Sequence, residues 1–347
     1  MTAPLIVIGA GGTAGHIVPA LAVAGELRAD GARVVFIGGD RAERSLVPAA
    51  GFELRTVRVV ALPRRNVGGA LRALTIDARA LRGAWRLVRE LRPAAVLGAG
   101  GYVAGPVGLA AALGRVPLVL MEADSHLGLT NRLLAPLARR VCLAVALEGR
   151  SGRRYRVTGR PAPAPAVDRA AARARFGIGD SERCVLVFGG SQGARSINLA
   201  AVEAFGGAGF RVLHAAGARD LPSLSAPGPH YDLRGYIDEF GEAILAADLV
   251  VARSGGSIHE VAAYGRPMVL VPYPFASADH QAANAAGFER AGAAVVIPDA
   301  ELTAARLGQE VGSLLADPSR LAVMGRAAAS LARPHAAREV ADELLAA

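Results

Sequence analysis

The stretch IVIGAGGTAGHIVPALAVAGEL, residues 6–27, joins an apolar run, a glycine-rich turn and a segment with helical spacing. This order is typical of a phosphate cradle, because backbone amides at a helix N-terminus point at the anion. The stretch also fits the dinucleotide fingerprint, with an acidic residue further on: Gly9, Gly11, Ala14 and Asp40. However, His16 and Pro19 occupy the first turns of the helix, where a dinucleotide fold packs small apolar residues. These residues alone leave open whether the loop holds NAD or other phosphates.

The second half of the chain opens in the same way. CVLVFGGSQGARSINLAAVEAF, residues 184–205, repeats the strand, the Gly-Gly-Ser/Thr-x-Gly turn and the helix, and a further glycine turn, GAGGYVAGP, lies at 98–106. One glycine turn is weak support for a ligand site, because many turns need a positive φ for geometry alone. Two matching loops at corresponding places in two half-chains favour one ligand cleft between two sheets.

Apolar runs alternate with helical segments along the whole chain. They lie at 5–8, 34–37, 57–60, 95–98 and 117–121, and then at 184–188, 210–214, 249–252 and 268–272. Regular βα alternation predicts parallel sheets covered by helices on both faces. The proline- and alanine-rich segment VTGRPAPAPAVDR, residues 157–169, separates the two series. We therefore predict an α/β protein with two Rossmann-like, doubly wound parallel-sheet domains that face each other across a cleft. The predicted boundaries are 1–160 and 161–330, and a C-terminal helix in 331–347 is expected to pack back on the N-terminal domain.

Composition bounds the class of protein. The chain has 347 residues with 52% hydrophobic content, enough for two cores, and its two cysteines suit a reducing compartment. The uncharged stretches at 1–25 and 93–114 are broken by glycine or proline, so we interpret them as buried strand–loop–helix units rather than membrane segments. Every one of the 39 basic residues is arginine. Residues 1–160 hold 23 arginines against 10 acidic residues, whereas residues 161–347 hold 16 against 20, which indicates that the first half faces something anionic.

The polar residues indicate diphosphate binding by backbone amides. The sequence contains no D-x-D, no H-E-x-x-H, no Cys/His cluster at ligand spacing and no lysine for a Walker motif. We expect neither a metal nor a cofactor, and no nucleic-acid partner.

The densest polar cluster lies in residues 252–285. Ser254–Ser257 form a glycine turn before a helix that carries Glu260, an acid placed either to accept two ribose hydroxyls or to act as a helix cap. Asp279, His280 and Gln281, with Asn284 one turn later, either contact sugar hydroxyls or cap a surface helix.

Together these segments resemble the MurG family, which are GT-B glycosyltransferases of peptidoglycan synthesis. The resemblance runs nearly from end to end of the chain. It rests on GGTAGHIVPALAVA (11–24), GAGGYVAGP (98–106), GLTNRLLA (128–135), VTGRP (157–161), GGSQGARSIN (189–198), the loop 253–260, VPYPFASADHQAANA (271–285) and GAAVVIP (292–298). The resemblance implies transfer of GlcNAc from UDP-GlcNAc to the C4 hydroxyl of MurNAc on lipid I, with inversion and without a metal. It also implies that the first loop is a diphosphate cradle and not an NAD site.

The resemblance further assigns roles to individual residues. Thr13, Ala14 and Gly15 would lie near the donor and acceptor phosphates, Ser191 would contact the donor diphosphate, and the Ile237 backbone would bind uracil. Glu260 would hold the ribose, while His280 and Gln281 would bind the GlcNAc hydroxyls. Helix N-terminal amides would stabilise the leaving UDP, from two groups of residues: Gly190, Ser191, Gln192 and Gly193, and Gly255, Gly256 and Ser257.

The chain departs from the family pattern at three places. Asp124 stands where an asparagine of the family contacts the donor sugar, and Arg160 stands before Pro161 where the family arginine follows Asn-Pro. The loop 253–260 is also one residue shorter than the corresponding loop of the family. These changes leave an alternative open: a related enzyme that transfers another UDP-sugar to a different lipid-linked acceptor. The second alternative is a protein that binds a nucleotide sugar without catalysis. The presence of His16, Glu260 and Gln281 disfavours it, because such a protein would lose these polar residues and keep the glycine loops.

His16 is the predicted general base, because a neutral imidazole accepts a proton at physiological pH. An orienting or phosphate-binding role for His16 has almost equal support.

The segment 64–92 predicts attachment to an anionic membrane surface. It holds arginines 64, 65, 72, 79, 82, 86, 89 and 92 against Asp77 and Glu90. Leu71, Leu74, Leu81, Trp85 and Val88 form an apolar stripe at largely helical spacing, part of which packs on the protein's own sheet. We therefore expect a peripheral protein on the cytoplasmic face of the cell membrane.

Overall fold

The computed structural model describes residues 3–57, 78–190, 192–276 and 279–347. The chain divides into two compact units: unit 1 comprises Met1–Pro163 and Arg333–Ala347, and unit 2 comprises Ala164–Ala332. Each unit is an α/β domain built on one parallel sheet.

Unit 1 contains a seven-stranded sheet in the order β3-β2-β1-β4-β5-β6-β7, in which every strand pair is parallel. The strands are β1 (Leu5–Gly9), β2 (Arg33–Gly38), β3 (Glu53–Thr56), β4 (Ala95–Gly98), β5 (Leu118–Glu122), β6 (Arg140–Leu143) and β7 (Tyr155–Val157). Among the described residues of this unit up to Pro163, the α-helices are α1 (Ala14–Ala29), α2 (Glu43–Ala49), α3 (Ala78–Leu91), α4 (Gly101–Leu113) and α5 (Leu129–Leu134).

Unit 2 contains a six-stranded parallel sheet in the order β10-β9-β8-β11-β12-β13. The strands are β8 (Cys184–Phe188), β9 (Arg211–Ala215), β10 (Tyr231–Arg234), β11 (Leu249–Ala252), β12 (Met268–Leu270) and β13 (Ala294–Val296). The helices are α6 (Arg169–Arg175), α7 (Arg195–Ala204), α8 (Phe240–Ala246), α9 (Ser257–Ala263), α10 (His280–Arg290), α11 (Ala304–Leu315) and α12 (Pro318–Leu331).

The centre of each sheet is formed by continuous apolar strands. Strands β4, β5 and β8 are buried at every position, as expected for strands covered by helices on both faces. Two hydrophobic clusters lie in each unit. In both sheets the strand order reverses beside the first strand, between β1 and β4 and between β8 and β11. Such a switch point is where an open α/β sheet binds its ligand, outside the carboxyl ends of the strands.

The last helix, α13 (Ala336–Leu345), belongs to unit 1. Arg338 pairs with Asp30 at the end of α1, and Glu343 pairs with Arg140 and Arg156. Val340 and Leu344 are buried in the same cluster as the apolar face of α1.

The two parallel α/β domains predicted from the sequence are confirmed. The predicted strand at 57–60 is displaced, since β3 ends at Thr56, and residues 58–60 lie outside the described residues. The sequence reasoning missed β6, β7, β10 and β13, which have only three or four residues each. The first three contain charged residues, and β13 is apolar but only three residues long.

Candidate functional site

The switch point of unit 1 is formed by the loops after β1 and β4, which pack backbone against backbone. Gly101 has φ +75°, and a Cβ on it would lie 1.8 Å from the carbonyl oxygen of Gly11. A Cβ on Gly11 would in turn lie 2.5 Å from Val103. Only glycine fits this approach, so the turn GAGGYVAGP serves to bring the N-termini of α1 and α4 together.

Glu43 binds the backbone of the loop after β1 with its side chain. Its side chain is fully buried and accepts hydrogen bonds from the backbone amides of Gly12, at 2.9 Å, and Gly39, at 2.8 Å, and from the Tyr102 hydroxyl, at 2.9 Å. Burial alone would raise the pKa of Glu43, but the donated hydrogen bonds outweigh it and hold that pKa below its usual range. Burial, followed by the hydrogen bond to Glu43, raises the pKa of Tyr102 to about 12. Sequence reasoning missed Glu43, because two of its three partners are backbone amides and the third, Tyr102, is 59 residues away in the sequence.

The first turn of α1 carries the predicted residues Thr13, Ala14, Gly15 and His16. Thr13 is the N-cap residue, and its carbonyl accepts from the amides of His16 and Ile17. Thr13 and Gly15 are exposed, while Ala14 and His16 are half-buried. The His16 ring lies over the backbone of Gly100, where a Cβ would come 2.6 Å from its Cδ2. The structure thus brings His16 between the N-termini of α1 and α4.

Asp124 and Arg160 join this turn. Arg160 donates from Nη2 to the Gly15 carbonyl, at 2.7 Å, and from Nη1 to the Ala123 carbonyl, at 2.6 Å. Asp124 lies 3.8 Å from the same guanidinium. Two residues far apart in sequence therefore lie beside the first glycine loop, as the prediction of a common site requires.

Glu122, at the end of β5, organises the loop that carries Asp124. It accepts hydrogen bonds from the backbone amides of Asp124, at 3.2 Å, and Gly128, at 2.8 Å, and from the Asn131 side chain, at 3.0 Å. Burial raises the pKa of Glu122 despite these donors.

Unit 2 also has a close backbone contact, but it joins the loops after β8 and β9, beside the switch point between β8 and β11. Gly193 has φ +73°, and a Cβ on it would lie 2.0 Å from the carbonyl oxygen of Ala216. Gln192 is exposed and Gly193 half-buried at the start of the turn into α7, while Ser191 lies outside the described residues. The Asn198 side chain ties α7 to the same turn by donating to the Ala216 carbonyl, at 2.8 Å, and to Asp220, at 3.0 Å.

Arg253 connects the loops around this switch point. Its side chain is 9% exposed, pairs with Asp299 at 2.5 Å and donates to the Ser196 hydroxyl at 2.8 Å. It also donates to the carbonyls of Val271, at 3.2 Å, and Pro272, at 3.1 Å. One buried guanidinium thus links the ends of β11 and β12 to α7, and sequence reasoning missed this role.

The predicted residues His280 and Gln281 lie in the first turn of α10. Gln281 accepts from the Tyr273 amide at 3.0 Å, and its Nε2 lies near Gly255. Its backbone carbonyl accepts from the Ser254 hydroxyl at 2.7 Å. His280 is half-buried at the first position of α10, after Asp279 in a left-handed conformation without a side-chain cap.

Gly255, Gly256 and Ser257 lead into α9, whose first turn carries the half-buried Glu260. Ile237 is 2% exposed, and its side chain belongs to the core of unit 2. Burial raises the pKa of the neighbouring Tyr236, and the charges of Asp238 and Glu260 raise it further. Glu260 therefore lies within electrostatic range of the loop that carries Ile237.

In the part of the chain that the structure describes, no three His, Cys, Asp or Glu side chains group together as a metal site would require.

Comparison with known proteins agrees with this architecture. Residues 6–143 match the glycosyltransferase family 28 N-terminal domain, and residues 184–341 match the glycosyltransferase family 28 C-terminal domain. The chain is 42% identical over 363 residues to the UDP-N-acetylglucosamine--N-acetylmuramyl-(pentapeptide) pyrophosphoryl-undecaprenol N-acetylglucosamine transferase of Moorella thermoacetica, with 98% of each chain covered. It is 41% identical to the transferase of the same name from Mycobacterium avium, over 98% of this chain and 88% of that one.

Solved structures agree as well. The crystal structure of Acinetobacter baumannii MurG matches with a TM-score of 0.76 at 28% identity and covers 99% of this chain and 100% of its own. CalG4, the calicheamicin glycosyltransferase, matches in fold alone, with a TM-score of 0.71 at 18% identity over 100% of this chain and 98% of its own. The resemblance inferred from the sequence motifs is confirmed: the chain is a glycosyltransferase that belongs to family 28.

Proposed function

We propose that this protein transfers N-acetylglucosamine from UDP-N-acetylglucosamine to an N-acetylmuramyl-pentapeptide linked through pyrophosphate to undecaprenol. The observation that carries the proposal is the 42% identity over 98% of both chains to a transferase with that name. The two glycine-lined switch points support it, since each presents backbone amides at the place where an α/β sheet binds phosphate.

Unit 2 is the proposed donor side. The amides at Gly190–Gly193 would face the diphosphate, the Ile237 backbone would pair with uracil, and Glu260 would accept the ribose hydroxyls. The burial of the Ile237 side chain and the electrostatic proximity of Glu260 to its loop support these roles. Gln281 and His280 are proposed to contact the sugar. Because Gln281 Oε1 already accepts from Tyr273, its Nε2 is the atom proposed to donate to a GlcNAc hydroxyl.

Unit 1 is the proposed acceptor side. The acceptor hydroxyl oxygen would form a bond to C1 of GlcNAc, and the bond from C1 to the β-phosphate oxygen would break on the opposite face. UDP would leave with the electron pair, and the hydroxyl proton would pass to the His16 imidazole. Backbone amides would stabilise the negative charge that grows on UDP.

The test is transfer of radiolabelled sugar from UDP-GlcNAc to a lipid I analogue in excess EDTA. The expected product is the disaccharide lipid with inverted configuration at C1. Faster transfer from another UDP-sugar would support the related-enzyme alternative, and UDP binding without transfer of any sugar would support the non-catalytic one. Loss of activity that magnesium restores would contradict the proposed role of the backbone amides.

We also propose that unit 1 attaches this protein to an anionic membrane surface. Arg79, Arg82, Arg86 and Arg89 are exposed on α3, and their spacing of three and four residues places them on one face of the helix. Trp85 is exposed beside them, with Arg89 over its ring at 4.6 Å. Leu81 is half-buried and Val88 is buried on the opposite side, so these two belong to the core. The other members of the predicted stripe, Leu71 and Leu74, lie outside the described residues.

Exposed leucines extend the apolar surface on the next two helices. α3 packs on α4 and α4 on α5, and four leucines on α4, on α5 and in the turn that follows α5 are more than half exposed: Leu113, Leu129, Leu133 and Leu137. Leu129 and Leu133 are four residues apart on α5, so they share one side of that helix. Among the described residues, no helix has the length and apolar character needed to cross a bilayer.

A further inference from the structure

The carbonyl of Gly15 lies in a helical turn that lacks its usual donor. In an α-helix this carbonyl accepts from the amide four residues later. That residue is Pro19, which lies inside α1 and has no N–H. The proline ring also pushes the carbonyl four residues before it away from the helix axis. A polar backbone atom in the first turn of α1 therefore needs a donor from elsewhere.

Arg160 supplies that donor. Its Nη2 lies 2.7 Å from the Gly15 oxygen, and its Nη1 lies 2.6 Å from the Ala123 oxygen in the loop after β5. The side chain is 8% exposed, and the Asp124 carboxylate lies 3.8 Å from Nη1. The planar guanidinium serves two carbonyls at once, which the single ammonium of a lysine does far less well.

We propose that Arg160 is a positioning residue that holds the first turn of α1, and with it His16, in place over Gly100, and that Asp124 is its counter-ion. The inference rests on the proposed function where it concerns transfer. His16 is one residue from the Gly15 carbonyl, and its ring lies against the Gly100 backbone. Release of the carbonyl would let the turn shift, and a shift of about 1 Å in a reacting group lowers the rate by about 10²-fold.

Pro19 and Arg160 are therefore expected to be coupled. In Pro19→Ala the amide of residue 19 can donate to the Gly15 carbonyl within the helix, so the turn no longer depends on the guanidinium. Loss of Arg160 should matter less in that background. A guanidinium that contacted only ligand would act independently of residue 19.

The experiment is a double-mutant cycle of Arg160→Gln and Pro19→Ala in the full chain. Hydrogen exchange is measured on a peptide covering residues 13–23, and steady-state kinetics are measured with UDP-GlcNAc and the lipid I analogue. Arg160→Gln should accelerate exchange in this peptide and lower kcat by about 10- to 100-fold with little change in UDP affinity. Adding Pro19→Ala to Arg160→Gln should restore most of the protection from exchange and most of kcat. Arg160→Lys keeps the charge opposite Asp124 but not the fork, so it should retain only part of kcat.

Arg211→Gln is the matched control, because Arg211 also donates to two backbone carbonyls, those of Gly177, at 2.8 Å, and Pro229, at 3.3 Å, but lies in unit 2. It should leave exchange in residues 13–23 unchanged.

Two outcomes would overturn the proposal. In the first, Arg160→Gln lowers kcat and the protection from exchange equally with and without Pro19→Ala. In the second, UDP affinity falls at constant kcat, which would make Arg160 a ligand contact. Full activity of Arg160→Lys would reduce its role to charge. If Arg160→Gln does not fold, the same double-mutant cycle is measured with Arg160→Lys in its place and tests the coupling to Pro19. If the wild-type protein transfers no sugar, the proposed function fails, while the exchange cycle still tests the contact.

Discussion

Three charged side chains at the two switch points each form two hydrogen bonds to backbone groups. Glu43 accepts from two glycine amides, Arg160 donates to two carbonyls, and Arg253 donates to two more. Such groups leave little trace in a sequence, since a carboxylate or guanidinium bound to backbone needs no partner of a particular residue type. Pro19, in contrast, is visible in the sequence. A proline within a predicted helix indicates that the carbonyl four residues earlier lacks its usual amide donor. The sequence motif located His16 in the first turn of α1, but its contact with Gly100 was not predicted, because it depends on the packing of two loops that are far apart in the sequence.

His16→Ala tests the proposed base. If His16 accepts the hydroxyl proton, kcat should fall by a factor on the order of 10² to 10⁴, while UDP affinity, measured by calorimetry, should stay nearly constant. His230→Ala is a suitable control, because the His230 side chain is 63% exposed in unit 2. Weaker UDP binding at nearly normal kcat would instead assign His16 to binding.

Glu260→Ala tests the proposed ribose contact. Two charge-assisted hydrogen bonds would be lost, so the Kd for UDP should rise by about 10²-fold. Glu289→Ala is the control, since Glu289 is exposed on α10 of the same unit. An unchanged Kd for Glu260→Ala would remove this residue from the donor site.

At the scale of elements, periodicity predicted the buried strands and failed for the short ones. The runs of β1, β4 and β8 are apolar throughout, and β5 is apolar up to Glu122 at its end, because both faces of these strands are covered. Strand β10, with the sequence YDLR, has no such signal. It forms because β9 offers a parallel partner, and tertiary pairing of this kind is not visible locally. The cleft between the two domains stays a prediction.

His214 on β9 joins three elements of unit 2 through a buried network. Its ring nitrogens lie 2.7 Å from the Tyr231 hydroxyl on β10 and 3.0 Å from Asn198 Oδ1 on α7. The ring is fully buried, and burial lowers the pKa of His214 to about 4. The folded state therefore binds this proton more weakly than the unfolded state, in which the pKa is about 6.5.

This difference predicts a pH-dependent stability. The contribution of neutral His214 is fully present above pH 6.5 and is lost as the pH falls towards 4, by about 3 kcal/mol in total. Urea unfolding followed by circular dichroism measures the free energy of unfolding at each pH. Between pH 6.5 and pH 4 this free energy should decrease less in His214→Asn than in the wild type. His230→Asn should keep the wild-type slope. An identical slope in His214→Asn would mean that other groups control the acid sensitivity.

At the scale of the whole molecule, charge is divided between the two halves of the chain. Residues 1–160 carry 23 of the 39 basic residues and only 10 of the 30 acidic ones. On α3 the exposed arginines lie on the side of the helix opposite its buried residues. The exposed leucines on α4, on α5 and in the turn that follows add apolar surface to the same unit.

Membrane attachment through this unit makes a prediction with two separable parts. Near an anionic leaflet each arginine contributes about 1 kcal/mol, an effect that salt screens, whereas insertion of leucine side chains is not screened. Changing Arg79, Arg82 and Arg86 to glutamate should weaken co-sedimentation with anionic liposomes by at least about 10²-fold. Changing Leu129 and Leu133 to serine should weaken the binding that remains at high salt. The same charge reversal at Arg290, Arg320 and Arg326, exposed in unit 2, is the control and should have little effect. Equal binding to neutral and anionic vesicles would contradict an electrostatic attachment, because the basic face of α3 would then contribute nothing that the leucines do not.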